Sequence, residues 1–394
     1  MTEDLISLCV IALIAAACPV IAKIFPKKIM PETVLLLLAG ALLGPHMANI
    51  VHLTASVDLL SELGLAFLFL LAGFEINPKN LTNSQGKRGL ITWILSFGLA
   101  FIAVRLSPNF SVSHIDGIAV AIALTTTALG ALMPIMKERG FMDTSFGNSI
   151  LAYGTWGELC PVLAMALLLS TRAEWQTILI LALFIVVAVT AAVIPAKAKR
   201  AGHWLYNFMS ENANTTSQTM MRLTVLLLIS LVTFSAVFEL DIVLGAFAAG
   251  FILRYIIPDD NHTLETKLEG VGYGFLIPIF FVVSGANIDL YAVTTQPGLL
   301  AAFIVMLLVI RMLPIFISLS THSETRAESP HNRTSIALYC TTALPLIVAV
   351  TSVATKAGAM TQETAGVLVA AGAVTVFLMP LLASIFNRLA DSRN

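Results

Sequence analysis

The chain has 394 residues, of which 58% are hydrophobic and only 11% charged, with a formal net charge of −1. A soluble domain carries roughly a quarter charged residues, so this composition excludes one, and near-neutrality gives no basis for a nucleic-acid partner. Apolar runs of about twenty residues recur from end to end, which makes the membrane region the whole chain.

Thirteen helical spans are predicted, at 4–23, 30–49, 57–76, 89–107, 113–136, 146–170, 176–195, 219–238, 241–257, 270–287, 297–320, 333–355 and 363–386. The first follows Glu3 and Asp4 rather than a basic segment and lacks a clear cleavage site, so it reads as a retained helix and not a signal peptide. Cys9, Cys18, Cys160 and Cys340 all lie inside apolar runs without metal-ligand spacing, and no disulfide framework, resident metal or cofactor is expected. With the connections numbered in order, Lys and Arg collect in the odd-numbered loops and the C-terminus. Of the 22, only Arg105, Arg172 and Lys356 fall in even-numbered loops, and Arg311 lies within a span. Positive residues mark the cytoplasmic side. The expected topology is therefore N-terminus outside and C-terminus inside, in a cell (inner or plasma) membrane.

The sixth span, SILAYGTWGELCPVLAMALLL, carries Glu158, with no other charged residue between Asp143 and Arg172. An ionisable group at membrane depth is costly and is characteristic of ion or proton traffic. Other charges read as structural. Glu62 and Glu75 bracket the third span, with Lys79 four residues after Glu75 as a surface partner. Arg105, Glu239 and Asp241 fall at span ends, and Glu32 at the start of the second span is a weak candidate pH sensor. His114, His203 and His262 are in loops with no metal spacing. Trp175 and Trp204 read as interfacial anchors, Trp93 fits that role less well, and Trp156 sits next to Glu158.

The second half of the chain echoes the first. LLAGALLGP around Gly40 is echoed by FAAGFILRY around Gly250, offset 210; FLFLLAGFEIN with Gly73 by IFFVVSGANID with Gly285, offset 212; and ALTTTALGAL with Thr126 by LYCTTALPLI with Thr341, offset 215. Gly157 and Gly372 keep the last offset. These pairs oppose spans 2, 3, 5 and 6 to spans 9, 10, 12 and 13, a shift of seven helices. An odd shift turns the second unit upside down, and inverted repeats around a midplane site are the architecture of secondary transporters. Residues 1–175 then form the first repeat, 176–218 a linker helix and cytoplasmic loop, and 219–394 the second repeat. Both copies of Thr-Thr-Ala-Leu fall mid-span beside Gly130 and Pro134 or Pro345, where a helix is easily broken. Unwound segments expose carbonyls for a cation and bring half-helix dipoles to the site.

Four segments, MPETVLLLLAGALLGP, ELGLAFLFLLAGFEINPKNL, ALTTTALGALMPIMKERGF and VLGAFAAGFIL, resemble the monovalent cation:proton antiporter-2 family, the Kef-type and Na+/H+ antiporters, over roughly residues 5–387. The resemblance implies an all-α membrane fold of about 13 helices with crossed broken helices. It also implies a core domain from spans 4–6 and 11–13, a dimer domain from the rest, and a homodimer. In that family the sixth span carries an essential aspartate, preceded by Asp, Asn or Gln; the matching pair here is Gly157-Glu158. Relatives with two acidic residues are expected to be electrogenic and those with one electroneutral, which implies 1:1 exchange for this chain. The family's basic residue in the eleventh span matches Arg311.

The expected activity is exchange of Na+ or K+ for H+, with Glu158 binding cation and proton in competition. Thr126, Thr127 and their carbonyls are candidate ligands, Thr155 sits on the same helix face as Glu158, and Gly157, Thr341 and Thr342 are weaker candidates. Arg311 does not release its proton in a protein, so it is a fixed charge that holds the site or the half-helix carbonyls together. The alternative on the same plan is an organic-anion or bile-acid-type symporter, which calls for a cluster of basic side chains where only Arg311 is visible. An enzyme is not expected: an aspartyl protease needs two close carboxylates and there is one.

Overall fold

The computed structural model describes residues 2–24, 31–76, 81, 83–106, 114–129, 132, 136, 140–141, 144–168, 218–238, 241–256, 262–326 and 328–391. These residues are helical with short turns, and among them eight helices are long and apolar enough to cross a membrane. The seventh span, the linker to Ser217, Lys79, Glu239, His203, Trp175 and Trp204 lie outside the described residues. Every other expected span falls wholly or partly on helix. The first is Thr2–Ile24, the third Ala55–Glu75, the fourth Ser84–Leu106, the sixth Ser145–Leu168, the eighth Thr219–Val237 and the ninth Ile242–Ile256. The second is a shorter helix, Glu32–Leu43, which ends where Gly44 turns the chain. The thirteenth, Gln362–Asp391, runs past its expected end.

Several helix starts carry their own caps. Asn83 Oδ1 accepts from Gly86 N at 2.6 Å, Thr144 Oγ1 from Gly147 N at 3.1 Å, and Ser329 Oγ from Asn332 N at 3.2 Å. Each satisfies a donor that the first turn leaves open. Asp241, expected as a span-end charge, does the same for Val243 N at 2.8 Å.

Spans 10 and 11 are interrupted in the same way. The tenth runs His262–Val271, a π turn Gly272–Leu276, then Ile277–Ala286; the eleventh runs Pro297–Leu307, a π turn Leu308–Met312, then Leu313–Thr321. Each π turn ends two residues before a proline, Pro278 or Pro314. A proline ring crowds the carbonyl four residues back and offers no N–H. Widening that turn keeps the helix continuous through the obstruction.

Two compact units divide the chain: Met1–Leu53, Pro78–Met165 and Phe281–Asn394 in one, Thr54–Asn77 and Ala166–Phe280 in the other. In the first, span 2 crosses span 10 through glycine. A Cβ on Gly40 would collide with the carbonyl oxygen of Val282, and one on Gly285 with that of Leu37. In the second, spans 3 and 9 cross alike: a Cβ on Gly73 would strike Phe247 O, and one on Gly250 would strike Leu70 O. The two crossings are one contact repeated. Offsets of 210 and 212 carry Leu37, Gly40, Leu70 and Gly73 onto Phe247, Gly250, Val282 and Gly285, and the partner of each residue maps onto the partner of its counterpart. Lipid tails give apolar helices no reason to associate, so backbone proximity bought with glycine supplies the attraction.

A Cβ at these crossings must push the backbones apart. Gly40→Ala and Gly285→Ala should each lower the unfolding free energy by ~1–3 kcal/mol, the usual cost of overpacking. Gly98→Ala, with nothing within 4 Å of the added methyl, is expected to leave it unchanged or higher. Thermal unfolding of the three variants in one detergent checks this.

Candidate ion-binding site

The fifth span is helical from His114 to Leu124 and then opens. Thr125 Oγ1 donates to Ile122 O at 2.9 Å and Thr126 Oγ1 to Ala123 O at 2.8 Å, so two hydroxyls take carbonyls at the end of the helix. The opening begins ahead of Gly130 and Pro134, the expected breakers, and those two residues lie outside the described ones. The twelfth span breaks at the related place. Pro330–Tyr339 ends, Thr341 Oγ1 donates to Leu338 O at 2.6 Å, and a new helix runs Leu344–Lys356. Pro345 stands in the first turn of that helix, where a missing N–H costs nothing.

The freed backbone groups find partners in the neighbouring spans. Ala128 N donates to Thr342 O at 2.8 Å, tying one break to the other. Thr127 N donates to Gly157 O in the sixth span, also at 2.8 Å. That carbonyl is available because the residue four positions on, where its α-helical donor would be, is Pro161. Thr127 Oγ1 donates to Cys340 O at the end of the Pro330–Tyr339 half-helix.

Arg311 is 0% exposed and sits in the π turn of the eleventh span. Its Nε and Nη2 donate to Thr127 Oγ1 at 3.1 and 2.8 Å, and Nη2 also to Tyr153 O in the sixth span at 3.0 Å. Tyr153 is held in turn by a 2.8 Å hydroxyl contact with Ser318. A Cβ on Gly157 would collide with Arg311 Nη2 and lie 2.6 Å from Thr127 Oγ1. The guanidinium thus fills the space that a side chain at position 157 would need. Its charge is also hydrogen-bonded, through Thr127, to a carbonyl at the C-terminal end of a half-helix, the end that favours a cation.

Glu158 follows Gly157 and is 4% exposed. Hydrogen bonds join Gly157 and Arg311 to Thr127, and Thr342 to the next residue, Ala128, in one cluster that includes the residue before Glu158. The hydroxyls of Thr126 and Thr341 are spent on their own helices, and Thr155 Oγ1 donates to Leu151 O at 2.6 Å. Trp156 Nε1 and Thr342 Oγ1 are buried without a hydrogen-bond partner. Trp93 is buried and stacks on Phe97 at 5.2 Å. Glu75, expected on the surface, is half-buried at the end of the third span. Sequence reasoning did not single out the carbonyls of Tyr153 and Cys340, nor the part played by Pro161. The available signal was the four-residue spacing from Gly157 to Pro161.

Leu129, Leu132, Phe146, Ile150, Tyr153, Ile315 and Tyr339 pack into one buried cluster, with Phe146 against the edge of Tyr339 at 6.1 Å. This apolar cluster packs residues of spans 5, 6, 11 and 12 together.

The candidate Na+/H+ antiporter YjbQ of Bacillus subtilis (strain 168) is 24% identical over 405 residues, covering 97% of this chain and 61% of that protein, so the chain spans 61% of that relative's length. The candidate Na+/H+ antiporter 3 of Methanocaldococcus jannaschii is 21% identical, with 75% of this chain and 78% of that protein covered. Among solved structures, the sodium proton antiporter MjNhaP1 from the same archaeon at pH 8 has the same fold, with a TM-score of 0.62 at 18% identity over 98% of each chain. A further structure of MjNhaP1, from electron microscopy, gives 0.65 at 17% identity over 98% and 97%. The transmembrane sodium/hydrogen exchanger family matches residues 10–386, nearly the whole chain, without singling out its Kef-type branch. A buried carboxylate, two broken spans that cross, and this match lead to one assignment: the chain belongs to the transmembrane sodium/hydrogen exchanger family.

Proposed function

We propose that this protein is a secondary active antiporter that exchanges Na+ or K+ for H+, with Glu158 holding either the cation or the proton. The observation that carries the proposal is the burial of Glu158 next to Gly157, whose carbonyl is bonded to the broken fifth span. One carboxylate in that position does not hold both ions at once, so loading one releases the other. With Gly157 where a second polar side chain would stand, one charge goes in each direction, and exchange is electroneutral at 1:1. Membership in the exchanger family supports antiport over an organic-anion or bile-acid-type symporter.

Arg311 is a fixed charge in this scheme. Its guanidinium ties Thr127 of span 5 to Tyr153 of span 6, and in this scheme the tie holds the crossing when Glu158 is protonated and the cation has left. Thr126, Thr127 and Thr155 remain candidate ligands through their oxygens. For Thr127, the hydroxyl is already engaged by Arg311, which leaves its carbonyl for an ion. The working arrangement is a core of spans 4–6 and 11–13 moving against a domain formed by the rest, the latter making a homodimer. Residues 1–175 and 219–394 act as the two repeats, joined by 176–218. The protein sits in the cell membrane with its N-terminus outside and C-terminus in the cytoplasm, as the distribution of Lys and Arg supports.

Proteoliposomes containing a pH-sensitive dye test the exchange. A Na+ or K+ gradient should drive proton movement that does not respond to a valinomycin-set voltage, and Glu158→Gln should reduce it to the level of empty liposomes. Voltage-sensitive flux would mean a second carrier group; no cation-coupled flux between pH 5 and 9 would sink antiport altogether. The Arg311 role makes a separate prediction. Arg311→Lys retains the charge but loses the fork that reaches Thr127 and Tyr153 together, so unfolding free energy should fall by about 1.5–3 kcal/mol per lost charged hydrogen bond. Thermal unfolding and flux measured side by side should show both reduced. A variant with wild-type stability would show that the bonds to Thr127 and Tyr153 hold nothing together.

A further inference from the structure

Thr127 and Thr342 occupy the same place in the two repeats, at offset 215. The residues before them behave alike. Thr126 Oγ1 and Thr341 Oγ1 each bond the carbonyl three residues back, at 2.8 and 2.6 Å. At the next position the copies part. The Thr127 hydroxyl donates to Cys340 O and accepts twice from Arg311, which fills its hydrogen-bonding capacity. The Thr342 hydroxyl is inside the protein, 1% exposed, and has no hydrogen-bond partner. A buried hydroxyl left open is costly and calls for a reason.

The position of Thr342 supplies one. Its carbonyl is bonded to Ala128 N, and the preceding Thr127 N is bonded to Gly157 O, the residue before Glu158. Two short backbone bonds therefore connect the open hydroxyl to the segment that carries the carboxylate. We propose that Thr342 Oγ1 is a ligand of the transported monovalent cation and the second repeat's contribution to its selection. This rests on the exchange reading given above. The hydroxyl oxygen has its lone pairs free, and a hard monovalent cation needs one of them, whereas both on the equivalent oxygen of Thr127 are already taken by Arg311. The repeat thus supplies two equal threonines, one committed to Arg311 and the other left for the ion.

Thr342→Val and Thr342→Ser, with Thr127→Val for contrast, test the assignment in proteoliposomes and in thermal unfolding. Without Na+ or K+, Thr342→Val should melt at or above the wild-type temperature, because a methyl replaces an unsatisfied hydroxyl. Its KM for the cation should rise roughly tenfold, the effect of about one lost ligand contact, and the rise in melting temperature caused by added Na+ or K+ should shrink to match. Thr342→Ser should restore both. Thr127→Val should instead melt lower with or without cation, since it strips Arg311 of its acceptor. Wild-type KM and cation-dependent stabilisation in Thr342→Val overturn the ligand assignment, as does a melting temperature that falls already without cation. If those results come alongside flux that still depends on Glu158, exchange stands and only the ligand fails. If the wild type shows no Glu158-dependent flux, both fail.

Discussion

A hydrocarbon environment offers no water to a peptide group, so a helix opened in mid-membrane must find a partner for each N–H and C=O it releases. The two openings here meet that requirement mostly with each other and with one neighbour. The N–H of Ala128 reaches the carbonyl of Thr342, and the N–H of Thr127 reaches that of Gly157. The hydroxyls of Thr125, Thr126 and Thr341 turn back onto their own last carbonyls. Pro161 is what makes the arrangement close. By having no N–H of its own it leaves Gly157 O unclaimed inside an intact helix, and the fifth span uses that acceptor at its break. Three spans are thereby joined through backbone alone, independently of any side chain's protonation.

Arg311 adds a side-chain lock to this backbone frame, and three local features make room for it. The π turn before Pro314 re-aims the helix, Gly157 omits the side chain that would occupy the same space, and Thr127 presents an oxygen that also bonds Cys340 O. Removing a side chain at 157 has a chemical consequence as well as a steric one, because that position is adjacent to Glu158. The same glycine that admits a permanent positive charge also withholds a second titratable group. The steric and the chemical effect are therefore set together, at a single residue.

Much of the architecture was legible in the sequence because hydropathy and glycine report on lipid-facing helices directly. The span pattern follows from apolar runs, and the matched glycines at 40, 73, 250 and 285 turned out to mark the two close crossings. The broken spans were legible from repeated Thr-Thr-Ala-Leu, although the fifth opens at Thr125, ahead of the glycine and proline that pointed to it. The hydrogen-bond partners were not legible. Which carbonyl Pro161 frees, and which N–H uses it, depends on the distance between two helices rather than on any local pattern. The π turns escaped for a related reason: a proline in a span signals a disturbance, but sequence alone does not say whether the helix kinks, stops or widens.

The repeat and the site make opposite demands on symmetry. Inverted-repeat transporters draw on the likeness of their two halves, and in this chain the paired glycine crossings are one contact used twice. The candidate site is asymmetric, since Gly372, the counterpart of Gly157, is followed by Ala373 where Glu158 stands in the first copy. At the crossing, the asymmetry lies at Glu158, Pro161, Arg311 and the use made of Thr127. The glycine crossings of spans 2 with 10 and 3 with 9 are duplicated, and Glu158 and Arg311 are not. A chain assembled in this way repeats its packing contact while leaving its buried charges, Glu158 and Arg311, unrepeated.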